Sequence, residues 1–196
     1  MKNKIIKHCL LCKNKKLRYL FSLGNLYVSN FVDKKRIKKN VKCPLTLNYC
    51  HKCSLIQLSH IAPQELMYKR HYWYKSGVTK TMINGLNNLY EESVKHVEIE
   101  KGDTVLDIGA NDGTLLKFYK KSKYTTIGCE PATNLHKYLK NNCNHMIKDF
   151  WSFSKLRNIL KKHKLEKPKI ITAIGMFYDL EYPNKFISEA TKALHD

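Results

Sequence analysis

From Thr104 onward the chain alternates short apolar, β-branched segments with amphipathic ones, and this alternation restricts the fold more than any other feature. Thr104 to Gly109 predicts a buried strand, Thr114 to Lys121 a helix, and Thr125 to Glu130 a second strand. Ala132 to Asn142 predicts a helix with Pro131 at its first position, where a missing N–H costs nothing. His145 to Phe150 predicts a weaker strand, Ser154 to His163 a helix, Lys169 to Gly175 a strand, and Asn184 to Leu194 a helix with Phe186, Ala190 and Leu194 on one face. Elements alternating at these lengths give an α/β fold with a parallel, doubly wound sheet. Ahead of it, Thr81, Ile83, Leu86, Leu89, Val94 and Val97 recur at three- and four-residue steps, which predicts an amphipathic helix over 80–97.

The first 60 residues have a different character. They hold five of the seven cysteines and only short apolar pieces, with no run able to form a stable helix alone, so the segment needs a staple. Cys9-Leu-Leu-Cys12 and Cys50-His-Lys-Cys53 supply one. Two thiolates separated by two residues grip one face of a tetrahedral ion, and a second pair closes a structural zinc site. Such binding contributes about 10–16 kcal/mol in small peptides, ample for a segment with little core. The 37 residues between Cys12 and Cys50 exceed the spacing of a compact ribbon, so the chain must make an excursion and return. Cys43, His8 and His51 are spare candidate ligands, and Cys129 and Cys143 are expected as small buried apolar groups. An odd cysteine count without an export signal argues against disulfides and for a cytoplasmic protein. No apolar stretch approaches the roughly 20 residues of a membrane span.

Lysine and arginine number 36 against 16 acidic residues, a net charge of +20. A polyanionic partner is therefore open to consideration, but the excess is lysine spread along the chain, arginine is scarce, and no nucleic-acid motif accompanies it. The densest run, Lys34 to Lys42, is expected as a solvated loop. A substrate carrying a diphosphate would also be drawn to such a surface.

Asp107-Ile-Gly-Ala-Asn-Asp-Gly113 follows the first strand and opens a helix. Its glycines stand four apart, unlike the Gly-x-Gly-x-x-Gly of dinucleotide sites, and permit a sharp turn and close ligand approach at the carboxyl end of the strand. Glu130 ends the second strand 23 residues beyond Asp107, where an acidic side chain can accept both hydroxyls of a ribose.

The Asp-x-Gly-x-x-x-Gly turn followed by Gly128-Cys-Glu-Pro-Ala132 resembles class I S-adenosylmethionine-dependent methyltransferases. The ordered set Cys9-x-x-Cys12, Leu23-Gly24 to Asn30, Cys43-Pro-Leu-x-Leu47, Cys50-x-x-Cys53, Tyr72-x-Tyr74-x-Ser76-Gly77, Asp107 to Gly113 and Phe177-Tyr-Asp-Leu180 is similar to the sugar C-methyltransferases of deoxysugar pathways. The resemblance implies a zinc-binding domain over 1–75 and a Rossmann-like S-adenosylmethionine-binding domain over 76–196 of which the first four strands are present. It implies that Asp107, Gly109, Asn111 and Gly113 line the methionine end of the cofactor and that Glu130 holds its ribose. Asp149 and Phe150 would meet the adenine, while Tyr72, Tyr74 and Ser76 would close over the cofactor; for Phe150, and for the tyrosines as an aromatic cluster at the module interface, packing roles are equally open. Tyr178 and Asp179, after the fourth strand, are the candidates to orient the substrate, or else cap and pack. The implied reaction is transfer of the sulfonium methyl to a carbon beside the keto group of a nucleotide-linked sugar, after a base removes the α-proton.

The family's fold has seven strands, a further domain, and a general base in its later part. This sequence stops after the fourth strand, so the chain alone is expected to be a fragment that binds cofactor without turnover, with an edge strand open to association. The rival readings are a methyltransferase acting on RNA or protein, and a non-catalytic cofactor-binding module.

Overall fold

A computed structural model describes residues 3–28, 34, 41–69 and 71–195. Positions 35–40, which carry most of the expected basic loop, and Asn30 lie outside the described residues. The chain divides into two compact units, Met1–Arg70 with Glu181–Asn184, and His71–Leu180 with Lys185–Asp196.

In the first unit β1 (Lys4–Ile5) pairs antiparallel with β5 (His60–Ile61), and β2 (Leu17–Tyr27), β3 (Lys42–Cys50) and β4 (Ile56–Leu58) form an antiparallel sheet in that order. The β2–β3 hairpin is the excursion required by the cysteine spacing. Its register sets Tyr27 opposite Lys42 at the far end and Leu17 opposite Cys50 at the near end, so the chain returns beside its point of departure. The pairing slips around Gly24, whose φ of 79° lies in the left-handed region that glycine enters freely, and the Ser22 hydroxyl accepts the Gly24 N–H. Few apolar side chains are buried in this unit: Ile6, Cys9, Val28 and Cys50, while Tyr19, Phe21 and Leu23 of β2 stay exposed.

The second unit has a conventional core. Thr79 caps α1 (Lys80–His96) by accepting the Met82 N–H. β6 (Thr104–Ile108), β7 (Thr125–Cys129), β8 (His145–Ile147) and β9 (Ile170–Thr172) form a parallel sheet in the order β8-β7-β6-β9. All five residues of β6, Asp107 included, are buried, as in a central strand covered on both faces. Alternate side chains sort to opposite faces: Val105 packs with Leu86 of α1, Leu115, Leu116 and Tyr119 of α2 (Thr114–Lys121), and Leu139 of α3 (His136–Asn142). Leu106 and Ile108 pack with Leu156 of α4 (Phe153–His163) and Phe186 and Ala193 of α5 (Pro183–Ala193). The strand order reverses between β6 and β9, the topological switch point at whose carboxyl end open α/β sheets bind ligands.

Two local expectations are corrected. The helix expected from Ala132 begins only at His136, because the Glu130 carboxylate accepts the Ala132 N–H and residues 133–135 turn instead. Proline occupies a first helical position at Pro183 of α5 rather than at Pro131. The strand expected over 169–175 keeps its ladder only over Ile170–Thr172, before Gly175 enters the left-handed region at φ 67°. Among the described residues β8 and β9 are the outer strands.

Candidate functional site

Two clusters carry chemistry, one in each unit. In the first unit the sulfurs of Cys9, Cys12, Cys50 and Cys53 all lie within 4.8 Å of one another, and Cys9–Cys53 and Cys12–Cys50 are each separated by 3.5 Å. A zinc ion with Zn–S bonds of about 2.3 Å sets its sulfurs about 3.8 Å apart, so the four thiols fit a tetrahedral ion. His8, His51 and Cys43 stay outside this group.

Local backbone geometry explains the convergence. Each Cys-x-x-Cys is followed by a non-glycine residue at φ 61°, Lys13 and Ser54, whose N–H donates back to the carbonyl of Cys9 or Cys50 at 3.1 and 2.8 Å. In both turns the first cysteine's own N–H donates forward five residues, Cys9 to the Asn14 carbonyl and Cys50 to the Leu55 carbonyl. The two knuckles are thus one turn used twice. Buried Gln57 of β4 fixes the first, accepting the Leu10 N–H at 2.8 Å and donating to the His8 carbonyl at 3.1 Å.

In the second unit the glycine turn joins β6 to α2. Gly109 has φ 78°, and a Cβ there would meet Met176 Cγ at 3.0 Å, so the turn lies against the segment that follows β9. Gly113 has φ 80° and is pressed instead on α3: a Cβ would stand 2.8 Å from Asn142 Cβ and 2.9 Å from Leu139 Cδ1. Asn111, at φ 53°, is the non-glycine residue of the turn in the left-handed region.

The turn is lined by two buried acids. Thr172 of β9 donates its hydroxyl to Asp107 Oδ1 at 2.7 Å. Burial pushes the Asp107 carboxyl up to about 7; the Thr172 bond opposes the shift and the charge of Glu130 adds to it. Glu130 follows β7 and accepts the Asn111 N–H on one oxygen at 2.8 Å and the Ala132 N–H on the other at 2.7 Å. Burial raises its pKa against those two bonds. A carboxylate offers about four lone-pair directions, so each Glu130 oxygen can still take one further donor.

Residues 71–78 form a strap across the loops that follow β6 and β7. The Asn111 carboxamide accepts the Ser76 N–H at 3.0 Å and donates to the Tyr74 carbonyl at 3.1 Å. Gly77 donates its N–H to Asp112 Oδ2 at 2.8 Å; a Cβ at Gly77 would meet Thr114 Oγ1 at 2.7 Å, so only glycine allows this approach. Tyr72 is bonded through its backbone to the Asn134 side chain. Burial raises the Tyr72 phenol, and the fields of Tyr178, Asp179, Glu130 and Tyr74 raise it further.

The remaining candidates lie further out. Asp149 and Phe150 follow β8 rather than ending it, and Asp149 pairs with Lys155 at 2.8 Å and accepts the Phe150 N–H. Tyr178 and Asp179 lie in a short 3₁₀ turn, Phe177–Asp179, with Tyr178 80% exposed.

Asp112, Asn134, Thr172 and Asn142 make hydrogen bonds that hold these loops, and sequence reasoning did not single them out. Asp112 accepts both the N–H and the hydroxyl of Thr114, closing the start of α2, and Asn142 donates to the Asp112 carbonyl at 2.8 Å. The signal for Asp112 was present, an acidic residue just before a helix. Asn134 and Asn142 act on residues 62 and 30 positions away, beyond any local pattern.

Residues 9–68 match the family Methyltransf_13, described as "Putative zinc binding domain". Over 92 residues, 47% of its length, the chain is 27% identical to the "C-methyltransferase NovU" of Streptomyces niveus. The match spans 22% of NovU, so the chain corresponds to about a fifth of that curated relative. Two solved structures are similar: the mycolic acid cyclopropane synthase CmaA1 complexed with SAH and CTAB, at 17% identity, and an SAM-dependent methyltransferase from Geobacter sulfurreducens in complex with S-adenosyl-L-homocysteine, at 14%. Each likeness covers 69% of this chain, 47% and 53% of the respective solved chains, with a TM-score of 0.44. The chain is thus similar over part of its length to a C-methyltransferase, its N-terminal segment matches a zinc-binding domain model, and a parallel sheet follows that segment. No helix among the described residues is long and apolar enough to cross a membrane.

Proposed function

We propose that this chain belongs to an enzyme that transfers the methyl group of S-adenosylmethionine to a carbon of a nucleotide-linked keto-deoxysugar, with a structural zinc on Cys9, Cys12, Cys50 and Cys53. One observation carries the cofactor reading: Glu130, buried beside the glycine turn at the carboxyl ends of the central strands, has no cation partner among the described residues and keeps two free acceptor directions. A vicinal diol supplies two donors to such a group.

S-adenosylmethionine supplies an electrophilic methyl on a sulfonium. On this reading Glu130 holds the ribose hydroxyls, and the turn Asp107, Gly109, Asn111 and Gly113 shapes the methionine end. Asp149 and Phe150 border the adenine, with Lys155 orienting the carboxylate. Tyr72, Tyr74 and Ser76 shield the sulfonium from water, which favours displacement on the methyl carbon by the acceptor. Transfer to carbon forms a C–C bond as the S–CH₃ bond breaks, and the acceptor carbon gives up a proton. On this reading Tyr178 and Asp179, after the switch-point strand, are the candidates to orient the acceptor, and their fields act on Tyr72. The name of NovU as a C-methyltransferase supports carbon as the accepting atom. The zinc module has four sulfur ligands and leaves no open position, so its role is to hold the first unit together.

The test is calorimetry with S-adenosylhomocysteine. Each charged hydrogen bond contributes about 1.5–3 kcal/mol, so Glu130→Ala is expected to weaken binding at least about tenfold. Equal affinities for wild type and variant would remove Glu130 from the site. For the acceptor, label from the methyl group should enter nucleotide-linked keto sugars, and entry into RNA or protein instead would overturn the sugar assignment.

A further inference from the structure

We infer that Asn134 is a positioning residue for the cofactor site: it clamps the backbone of Tyr72 and thereby sets the strap against the loops that follow β6 and β7. This deepens the cofactor reading above and rests on it.

The clamp has two points. Asn134 Oδ1 accepts the Tyr72 N–H and Asn134 Nδ2 donates to the Tyr72 carbonyl, both at 2.9 Å. A carboxamide presents an acceptor and a donor side by side, so it satisfies one residue's backbone as a neighbouring strand would. Asn111 does the same further along, taking the Ser76 N–H and the Tyr74 carbonyl. Asp112 adds the Gly77 N–H. Residues 71–75 have no regular secondary structure, so these side chains answer for backbone groups that no ladder reaches.

All three anchors stand in the loops that would surround the cofactor: Asn111 and Asp112 two to three residues after Gly109, Asn134 four after Glu130. The strap therefore takes its place from the cofactor loops themselves. What Asn134 orders is not core, since Trp73 and Tyr74 remain 50% and 45% exposed. Its effect is instead to fix the backbone that carries the Tyr72 side chain, on whose phenol the charges of Asp179 and Glu130 act. The bonds Asn134 makes to the strap are to the Tyr72 backbone, so it acts on the site through Tyr72.

Trp73, next to the clamped residue and with its ring tilted against His71 at 4.3 Å between centroids, is a built-in reporter. The chain has two tryptophans, so a Trp151→Phe background isolates it. In that background Asn134→Ala is expected to raise acrylamide quenching of Trp73 about twofold and to weaken S-adenosylhomocysteine about five- to tenfold, with the thermal midpoint held within a few degrees. Asn134→Asp keeps the acceptor and loses the donor; it serves if the alanine variant fails to fold, and is expected to move both readouts the same way. Unchanged affinity, with or without a change in quenching, would overturn the positioning role, as would lost affinity with quenching unchanged. If the wild type itself fails to bind S-adenosylhomocysteine, the cofactor reading falls and this role falls with it, a result distinct from equal binding by both proteins.

Discussion

Asp107 is a buried acid whose ionised form is the less comfortable one, and Asp107→Asn isolates that cost. In the folded chain its pKa is about 7, against 3.8 for the group in water, so between these values the folded state holds a proton that the unfolded state has released. Stability falls as pH rises wherever the folded state binds more protons, so wild type loses stability across this window and levels off above about pH 7. One pKa unit corresponds to about 1.36 kcal/mol, and the full span of about 3 units amounts to about 4 kcal/mol. Asparagine has no charge to desolvate, and its Oδ1 can still accept the Thr172 hydroxyl that Asp107 accepts at 2.7 Å.

The stability of Asp107→Asn relative to wild type should therefore grow by about 2 kcal/mol between about pH 5.5 and pH 8, the part of the window below about pH 7, and stay constant above it. Groups that do not interact with Asp107 cancel in the difference. Urea unfolding followed by helix ellipticity measures it, because among the described residues α1 to α4 lie wholly in the second unit and α5 nearly so. A difference that is flat with pH, or that shrinks as pH rises, would refute the argument that burial governs Asp107.

Two further outcomes are expected. Protein purified without added metal should contain about one zinc per chain, and Cys50→Ser or a strong chelator should release it and unfold the first unit, seen as loss of protease resistance before residue 70; full zinc content in the variant would contradict the four-sulfur site. Gly128→Ala should cost about 1–3 kcal/mol in thermal or urea unfolding, because its Cβ would stand 2.8 Å from Leu139 Cδ1 and 3.1 Å from Leu116 Cδ1 in a closed core.

The sequence shows the second unit clearly where a single element explains its own pattern. β6 reads as buried because it is buried on both faces, and α2 and α4 follow their apolar spacing closely. Legibility fails where a side chain overrides local preference. Pro131-Ala132 is a reasonable helix start on propensity, but Glu130 captures the Ala132 N–H two residues on, and that side-chain bond decides the turn. The strap fails for the same reason: the aromatic residues Tyr72, Trp73 and Tyr74 stand out in the sequence, whereas nothing marks Asn134 as the group that holds them. In the first unit the cysteine spacing reveals that an excursion exists, but not that it is a hairpin, because β2 leaves its apolar side chains exposed and so lacks the alternation that identifies a half-buried strand.

The two units are stabilised in different ways, and the difference explains where the costly groups lie. The first buries only a handful of apolar side chains, too few to offset the ordering of about 60 residues, so its stability depends on what the four sulfurs bind. A buried unpaired charge there would have little to offset it. The second unit packs apolar clusters on both faces of its sheet, and that surplus lets it keep Asp107 and Glu130 below the surface at a cost of several kcal/mol. Both acids stand where the parallel strands end, and the N–H groups of Asn111 and Ala132 that partly offset the burial of Glu130 belong to the turns that leave those strands. Moving Glu130 one residue back along β7 would bury its carboxylate within the sheet layer without those donors; moving it one residue forward would lose the low-dielectric surroundings that make a bound hydroxyl count. The position just past β7 keeps the acid tolerable in the fold while leaving it open acceptor directions, which the proposed ribose contact requires.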